Sequence, residues 1–137
     1  MESLTRIFIA EQDCESLVST MLWLEQFADF EVYGAVADNS VIDQINQLQP
    51  DMVMLSVPSA TAQAAMAIKT IRATTSTPAV MLVTKTDTNV EVLMAECDGQ
   101  IGPKTNLREI PDLLRKAINR HRVSSLAATS LPMAKAG

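Results

Sequence analysis

Short runs of apolar residues alternate along the chain with segments whose apolar positions follow helical spacing. Each run is short and mostly apolar, which is typical of a strand buried on both faces. This pattern predicts strands at residues 6–10, 30–37, 52–57, 79–84 and 100–101. The segments between and after them predict helices at residues 14–27, 61–73 and 89–96, and a last helix from Pro111 to about residue 122. A further short helix follows the second strand, with Asp38 or Asn39 as its N-cap and Pro50 as its stop.

Five strand–helix units in series predict a parallel sheet with helices on both faces and right-handed crossovers. Ligand sites in such folds lie beyond the carboxyl ends of the strands. The segments expected there are residues 11–13, 56–58, 84–87 and 102–105. Residues 123–137 are rich in Ala and Ser and show no helical period, so we interpret residues 1–122 as the domain and 123–137 as a flexible tail or linker.

Composition narrows the function classes. The chain has 137 residues, 47% of them hydrophobic, and a formal net charge of −5, which disfavours nucleic-acid binding by the domain alone. No apolar run is long enough to span a bilayer, and the N-terminal segment does not resemble a secretory signal. Cys14 and Cys97 are far apart, which favours the cytoplasm with reduced thiols. The single histidine, His121, excludes a site of several histidines.

Four local strings give the chain a family resemblance. QPDMVMLS ends at Ser56, AVMLVT ends at Thr84, GPKT contains Lys104, and an Asp98-Gly99 turn precedes the fifth strand. In order and spacing, residues 4–121 resemble the receiver domain of response regulators. The resemblance implies a flavodoxin-like (βα)5 three-layer sandwich with strand order 2-1-3-4-5. It also implies a role in signal transduction, in a two-component system or phosphorelay.

The resemblance implies a phosphorylation site that this chain only partly keeps. Receivers hold Mg²⁺ with an acidic pair after the first strand and phosphorylate an Asp after the third, and a hydroxyl and a Lys contact the phosphoryl group. Here Glu11-Gln12 occupies the acidic pair and Ser56 the phosphorylated position, while Thr84 and Lys104 match the hydroxyl and the Lys. The aromatic residue that receivers carry on the fifth strand is absent.

These departures predict a degenerate, or pseudo-receiver, domain. Mg²⁺ prefers several carboxylate oxygens, and an aspartyl phosphate requires an Asp. We therefore expect no enzymatic activity, no cofactor and no metal ion. Glu11 is interpreted as an ion-pair partner of Lys104, and Asp13 as a helix cap; each could instead bind a metal. Ser56 is interpreted as a small residue that hydrogen-bonds Lys104 or Thr84, with phosphorylation by a Ser/Thr kinase as the alternative.

Two further function classes remain open at this stage. One is a phosphorylatable response regulator with an unusual Mg²⁺ site. The other is a small-ligand or redox module of flavodoxin-like shape, which is disfavoured because no Gly-rich phosphate loop follows any strand.

The last predicted helix carries the one concentration of positive charge. Residues 100–122 contain six basic and two acidic side chains, so their net charge is +4. Receivers often bind partners through the face made by their fourth helix, fifth strand and fifth helix. We therefore expect a protein partner or self-association at this face, or an output domain covalently linked after residue 122. Its candidate residues are Arg108, Arg115, Lys116 and Arg120.

Overall fold

The architecture was obtained as a computed structural model, which describes residues 4–38, 40–57, 62–84 and 97–136. Five parallel strands form one sheet in the order β2-β1-β3-β4-β5. They are β1 (Thr5–Glu11), β2 (Phe30–Val36), β3 (Met52–Val57), β4 (Ala79–Thr84) and β5 (Gly99–Ile101). The described helices are α1 (Cys14–Leu24), α2 (Val41–Leu48), α3 (Ala62–Arg72) and the C-terminal helix (Ile110–Ala136), which follows a 3-10 turn (Leu107–Glu109). The predicted flavodoxin-like fold and strand order are confirmed.

Successive side chains of each strand point to opposite faces of the sheet, and helices cover both faces. One face packs with α1 and the C-terminal helix and contains Ile7, Ile9, Met52, Met54, Met81 and Leu114. The other face packs with α2 and α3 and contains Phe8, Val53, Leu55, Val80, Leu82 and Ile68. Two buried faces explain why the strands are continuous apolar runs rather than alternating ones.

The start of α2 differs from the sequence prediction. Ser40, rather than Asp38 or Asn39, occupies the N-cap position. The Asp38 carboxylate instead accepts hydrogen bonds from the Ser40 backbone N–H and hydroxyl, at 2.8 and 2.6 Å. These hydrogen bonds lower the pKa of Asp38. Asp38 therefore organises the turn before the helix.

The C-terminal helix is longer than predicted. It continues to Ala136, whereas the sequence pattern ends it near residue 122. The added segment lacks an apolar stripe but is rich in Ala, and extending an existing helix is much easier than starting a new one. The assignment of residues 123–137 as a tail or linker outside the domain stays a prediction. The predicted fourth helix, at residues 89–96, lies outside the described residues.

The first part of the C-terminal helix is anchored to the sheet. Leu114, Ala117 and Ile118 are almost wholly buried in the core. Pro111 is the second residue of this helix, one position later than predicted. It still lies in the first turn, where a missing N–H costs no helical hydrogen bond.

Candidate functional site

The carboxyl edge of the sheet contains the residues that the receiver resemblance selects. Glu11 is the last residue of β1, and its side chain is 5% exposed. One of its carboxylate oxygens, Oε1, accepts a hydrogen bond from the Asp13 backbone N–H at 3.3 Å. Gln12 follows and is exposed. At the predicted acidic pair, the structure therefore places one buried carboxylate beside an exposed neutral amide.

Asp13 begins α1, as the capping interpretation predicts. It occupies the N-cap position with extended backbone angles, and its carbonyl accepts the Leu17 N–H at 2.9 Å. Its carboxylate oxygen Oδ2 accepts the Ser16 hydroxyl at 2.7 Å. A negative charge at this helix end is favourable because the backbone N–H groups point toward it.

Ser56 and Thr84 lie on neighbouring strands but on opposite faces of the sheet. In the β3–β4 register, Ser56 pairs with Val83, and Thr84 pairs with Val57. Strand alternation then places Ser56 on the face of Met54 and Thr84 on the face of Leu82. Both residues are nearly buried, at 9% and 3% exposed. The predicted hydrogen bond from Ser56 to Thr84 or Lys104 stays a prediction.

Gln100 of β5 contacts the Thr84 hydroxyl. Its amide nitrogen Nε2 donates to Thr84 Oγ1 at 3.4 Å, a long hydrogen bond. A Cβ added to Gly102 would lie 3.9 Å from the same Oγ1, at ordinary contact distance. Sequence reasoning recognised that Gln100 or Ile101 replaces an aromatic residue, but it did not predict this amide–hydroxyl contact.

Lys104 lies in the turn that follows β5. The strand ends at Ile101, and Thr105 closes the turn with two hydrogen bonds. Its hydroxyl accepts the Gly102 N–H at 3.0 Å, and its own N–H donates to the Gly102 carbonyl at 3.1 Å. The Lys104 side chain is exposed. The predicted Glu11–Lys104 ion pair stays a prediction.

The described donors at this edge fit Mg²⁺ poorly. In the part of the chain that the structure describes, the carboxylates at this edge belong to Glu11, Asp13 and Asp38. Each of them accepts a hydrogen bond from its own loop or helix. Among the same described residues, no group of three His, Cys, Asp or Glu side chains is placed to hold a metal ion. Mg²⁺ instead requires near-octahedral oxygen ligands and usually at least one available carboxylate.

Part of the predicted basic partner face binds its own chain. Arg115 donates to both carboxylate oxygens of Asp29, at 2.8 and 2.9 Å, and its guanidinium lies 5.1 Å from the centre of the Phe30 ring. The hydrogen bond from Arg115 lowers the pKa of Asp29. Arg120 donates to the Asp98 carbonyl at 3.2 Å. Arg108 and Lys116 are exposed, so the partner surface proposed below uses these two residues.

The amino edge of the sheet contains a polar cluster that sequence reasoning missed. His121 of the C-terminal helix contacts the Asp98 carboxylate and the Thr77 carbonyl, at 3.2 and 2.6 Å. Beside it, Arg122 pairs with Asp51 at 3.4 Å. A groove of about 660 Å³ at this edge is lined by His121, Arg122, Asp51 and Thr77. The lone histidine and the Asp98-Gly99 turn were visible in the sequence, but no spacing rule joins residues that lie 23 positions apart.

Together, the parallel sheet, its strand order and the residues at its carboxyl edge define a receiver-like fold. No protein-family model matches the chain. No curated protein matches it either. Similarity to known proteins is therefore seen in the solved structures.

Three of these structures illustrate the similarity. A DNA-binding response regulator of the LuxR family from Staphylococcus aureus has a TM-score of 0.71 at 18% identity, covering 84% of this chain and 99% of that one. A CheY-like response regulator receiver domain from Methylobacillus flagellatus has a TM-score of 0.70 at 14% identity, covering 84% and 99%. The pseudo-receiver domain of the CikA protein has a TM-score of 0.61 at 18% identity, covering 82% and 96%.

At these identities the comparison shows the fold, which is that of receiver domains. A pseudo-receiver is among the structures that share it. In the part of the chain that the structure describes, no helix has the length and apolar character needed to cross a membrane. The cytoplasmic location stays a prediction.

Proposed function

We propose that this chain is an atypical receiver domain that acts in signal transduction by protein–protein interaction, without aspartyl phosphorylation. The observation that carries the proposal is Ser56 at the carboxyl end of β3, the central strand of the sheet. A receiver phosphorylated at this position needs a carboxylate there to form the acyl phosphate. A serine hydroxyl cannot form that bond, and it needs an adjacent base to act as a nucleophile at all.

The charge balance of the edge supports the same proposal. Phosphoryl transfer to an acidic site requires a cation that neutralises the developing charge. Here Glu11 is buried and hydrogen-bonded, and the neighbouring Gln12 is neutral. The acidic-pair position thus offers a divalent ion one buried, hydrogen-bonded carboxylate, and we expect the site not to prepare a phosphoryl donor.

The contact of Gln100 with Thr84 supports a site that does not respond to phosphorylation. In a working receiver, as the family resemblance implies, the strand-four hydroxyl receives a phosphoryl oxygen. In this chain Thr84 is 3% exposed, and its hydroxyl already accepts a hydrogen bond from the neighbouring strand. Regulation would then depend on which partner is present rather than on a covalent modification of the domain.

A spectroscopic titration tests the proposal. Beryllofluoride with Mg²⁺, added to the ¹⁵N-labelled full chain, is expected to leave the backbone amide resonances of Ser56, Val57 and Thr84 unchanged. Saturable shifts at these amides would overturn the proposal and favour the alternative, a phosphorylatable regulator with an unusual Mg²⁺ site.

Two double variants provide the controls. Gln12→Asp with Ser56→Asp supplies two carboxylates at the edge, and we expect it to gain Mg²⁺-dependent shifts at Thr84. Gln12→Asn with Ser56→Asn has nearly the same size without the charge, and it should not respond. If both respond alike, the charge argument is wrong.

The proposed partner surface is the exposed basic part of the C-terminal helix and the turn before it. Arg108 and Lys116 are exposed there, whereas Arg115 and Arg120 are engaged within the chain. Analytical ultracentrifugation over a range of concentrations tests self-association at this surface. We expect Arg108→Glu with Lys116→Glu to weaken association, and Lys69→Glu on the exposed side of α3 to leave it unchanged. Equal effects would remove this surface from the proposal.

A further inference from the structure

His121 lies between two hydrogen-bond acceptors. Its Nδ1 is 3.2 Å from the Asp98 carboxylate oxygen Oδ1, and its Nε2 is 2.6 Å from the Thr77 carbonyl oxygen. The imidazole and the Asp98 side chain are 14% and 15% exposed, so water screens this contact only weakly. The other Asp98 carboxylate oxygen, Oδ2, accepts the Val80 backbone N–H at 2.8 Å, which fixes the orientation of this carboxylate.

A neutral imidazole carries only one N–H, so it can satisfy only one of these acceptors. The second acceptor would then face a nitrogen lone pair at hydrogen-bond distance, which is unfavourable in a partly buried site. The imidazolium has two N–H groups and satisfies both acceptors. We propose that His121 is a pH-dependent contact that holds the C-terminal helix against the amino edge of the sheet in its protonated form and releases that hold when it becomes neutral.

The contact joins three separate segments of the fold. His121 lies one turn beyond the buried Ile118 on the C-terminal helix, Thr77 immediately precedes the Pro78 that leads into β4, and Asp98 immediately precedes β5. Thr77 has a positive φ of 42°, which is uncommon for a residue with a β-branched side chain, so its carbonyl is held in an unusual orientation. Changing the charge on one ring therefore alters how three elements meet at this edge.

Several charged or titratable groups surround the ring. Asp98 faces it directly from the β5 side, and Asp51 from the β3 side lies in the same groove. On the C-terminal helix itself, Arg120 donates to the Asp98 carbonyl and Arg122 pairs with Asp51. Cys97 lies next to Asp98 in sequence, and burial raises the pKa of its thiol, which keeps the thiol neutral near pH 7.

The direction of the effect follows from linkage between protonation and folding. Because the folded arrangement favours the imidazolium, its stabilisation is complete in acid, below about pH 6.5, where histidine in an unfolded chain titrates. The stabilisation is lost as the pH rises through the point at which the folded ring gives up its second proton. The C-terminal helix is therefore held more firmly at low pH than at high pH.

Urea unfolding of the full chain at pH 5.5 and pH 8.5 measures this effect. A hydrogen bond to a charged group contributes enough that we expect the unfolding equilibrium constant of the parent to rise by about tenfold more than that of His121→Gln between these two pH values. Comparing the two chains removes the contributions of the other titrating groups, because both chains contain them. His121 is the only histidine of the chain. The same pH dependence in both chains would overturn the proposal.

Asp98→Asn is a matched variant of almost identical shape. Its side-chain carbonyl can still accept the Val80 N–H, while its amide can donate to Nδ1 of a neutral ring whose Nε2–H binds Thr77. We expect this variant to lose the pH dependence and to keep the helix in place at pH 8.5. Strong pH dependence in Asp98→Asn would contradict the proposal.

The ring nitrogens give a direct readout that does not depend on any variant folding. At pH 6, ¹⁵N chemical shifts of the imidazole in the folded parent are expected to report two protonated nitrogens that bind the two acceptors. A neutral single tautomer in the folded chain at pH 6 would overturn the proposal.

Discussion

The two edges of the same sheet use polar residues in different ways. At the carboxyl edge, Glu11, Ser56 and Thr84 are buried near the ends of neighbouring strands. At the amino edge, Asp98 and Asp51 each contact a side chain of the C-terminal helix. In the fold class, chemistry belongs to the carboxyl edge. In this chain, the described charge pairs that join distant elements are instead at the edge where chemistry is not expected.

The difference indicates that the receiver-like fold is held by its apolar layers rather than by the polar residues at its carboxyl edge. The core of the sheet consists of two apolar layers, and the polar residues at the strand ends contribute little to them. We therefore expect a polar substitution at the carboxyl edge to leave the fold intact. At the amino edge, the polar residues connect the helix to the loops that precede the strands, so their exchange should affect stability.

The largest expected change in the free energy of unfolding comes from the apolar core between the two edges, and the effects at both edges are compared with it. Leu114→Ala removes a fully buried side chain of the C-terminal helix, and it should lower the free energy of unfolding by about 2–5 kcal/mol. Urea unfolding followed by circular dichroism measures this. Leu22→Ala on α1, where the side chain is 61% exposed, is the control and should change little. A small loss at Leu114 would mean that the helix is held mainly by its polar contacts.

A smaller effect is expected at the amino edge. Asp51→Ala removes the carboxylate that accepts the Arg6 backbone N–H at 2.8 Å and pairs with Arg122. We expect a loss of about 1–2 kcal/mol in the free energy of unfolding, since the group is one-third exposed and partly screened by water. Thermal or urea unfolding measures it. A neutral result would remove the contrast between the two edges.

The Asp29–Arg115 pair should contribute less than about 1 kcal/mol, because both side chains are roughly 40% exposed. The hydrogen bond from Arg115 lowers the pKa of Asp29 in the folded chain. The contribution is therefore present above about pH 4, where an unfolded Asp is ionised, and it is lost as the pH falls through the lower folded value.

Unfolding of the parent and Asp29→Asn at pH 6 and pH 2.5 checks this sign. The variant should be less stable at pH 6, and the difference should narrow at pH 2.5. A difference that widens in acid would contradict the assigned pair.

The smallest effect is expected at the carboxyl edge. Gln100→Ala removes the 3.4 Å contact with the Thr84 hydroxyl, and it should change the free energy of unfolding by no more than about 0.5 kcal/mol. A more sensitive measurement is the hydrogen exchange of backbone amides near Thr84. We expect it to change there and not in the core, because only the Thr84 hydroxyl loses a neighbour. A loss of stability as large as that of Asp51→Ala would show that polar contacts at the two edges contribute equally to the free energy of unfolding.

Much of the fold was predictable because apolar runs and helical spacing are local properties. The strands at residues 52–57 and 79–84 were predicted with the bounds that the structure has, since both are apolar runs that are followed in the sequence by Pro or by polar residues. The end of the C-terminal helix was not predictable, because residues 123–136 mix helix formers such as Ala and Leu with Ser, Thr and Pro132, and have no apolar stripe. The start of α2 was missed by one or two residues, because Asp38, Asn39 and Ser40 are all good capping residues.

The positions of the candidate site residues along the chain were predictable, but their contacts were not. Motif spacing located Glu11, Ser56 and Thr84 at strand ends. The contact of Gln100 with Thr84 depends on the β4–β5 register, which a three-residue strand does not reveal in sequence. Likewise, Arg115 and Arg120 belong to a basic helix in sequence, and only packing shows that they bind Asp29 and the Asp98 carbonyl.

The sequence by itself determined the order of strands and helices, the layers that are buried, and the absence of Asp at position 56. Each of these follows from the identity of residues and from their spacing along the chain. Tertiary structure alone decided that His121 lies within hydrogen-bond distance of both the Asp98 carboxylate and the Thr77 carbonyl. Electrostatic and hydrogen-bonding interactions depend on distances through space, and for residues far apart in the chain only folding sets those distances.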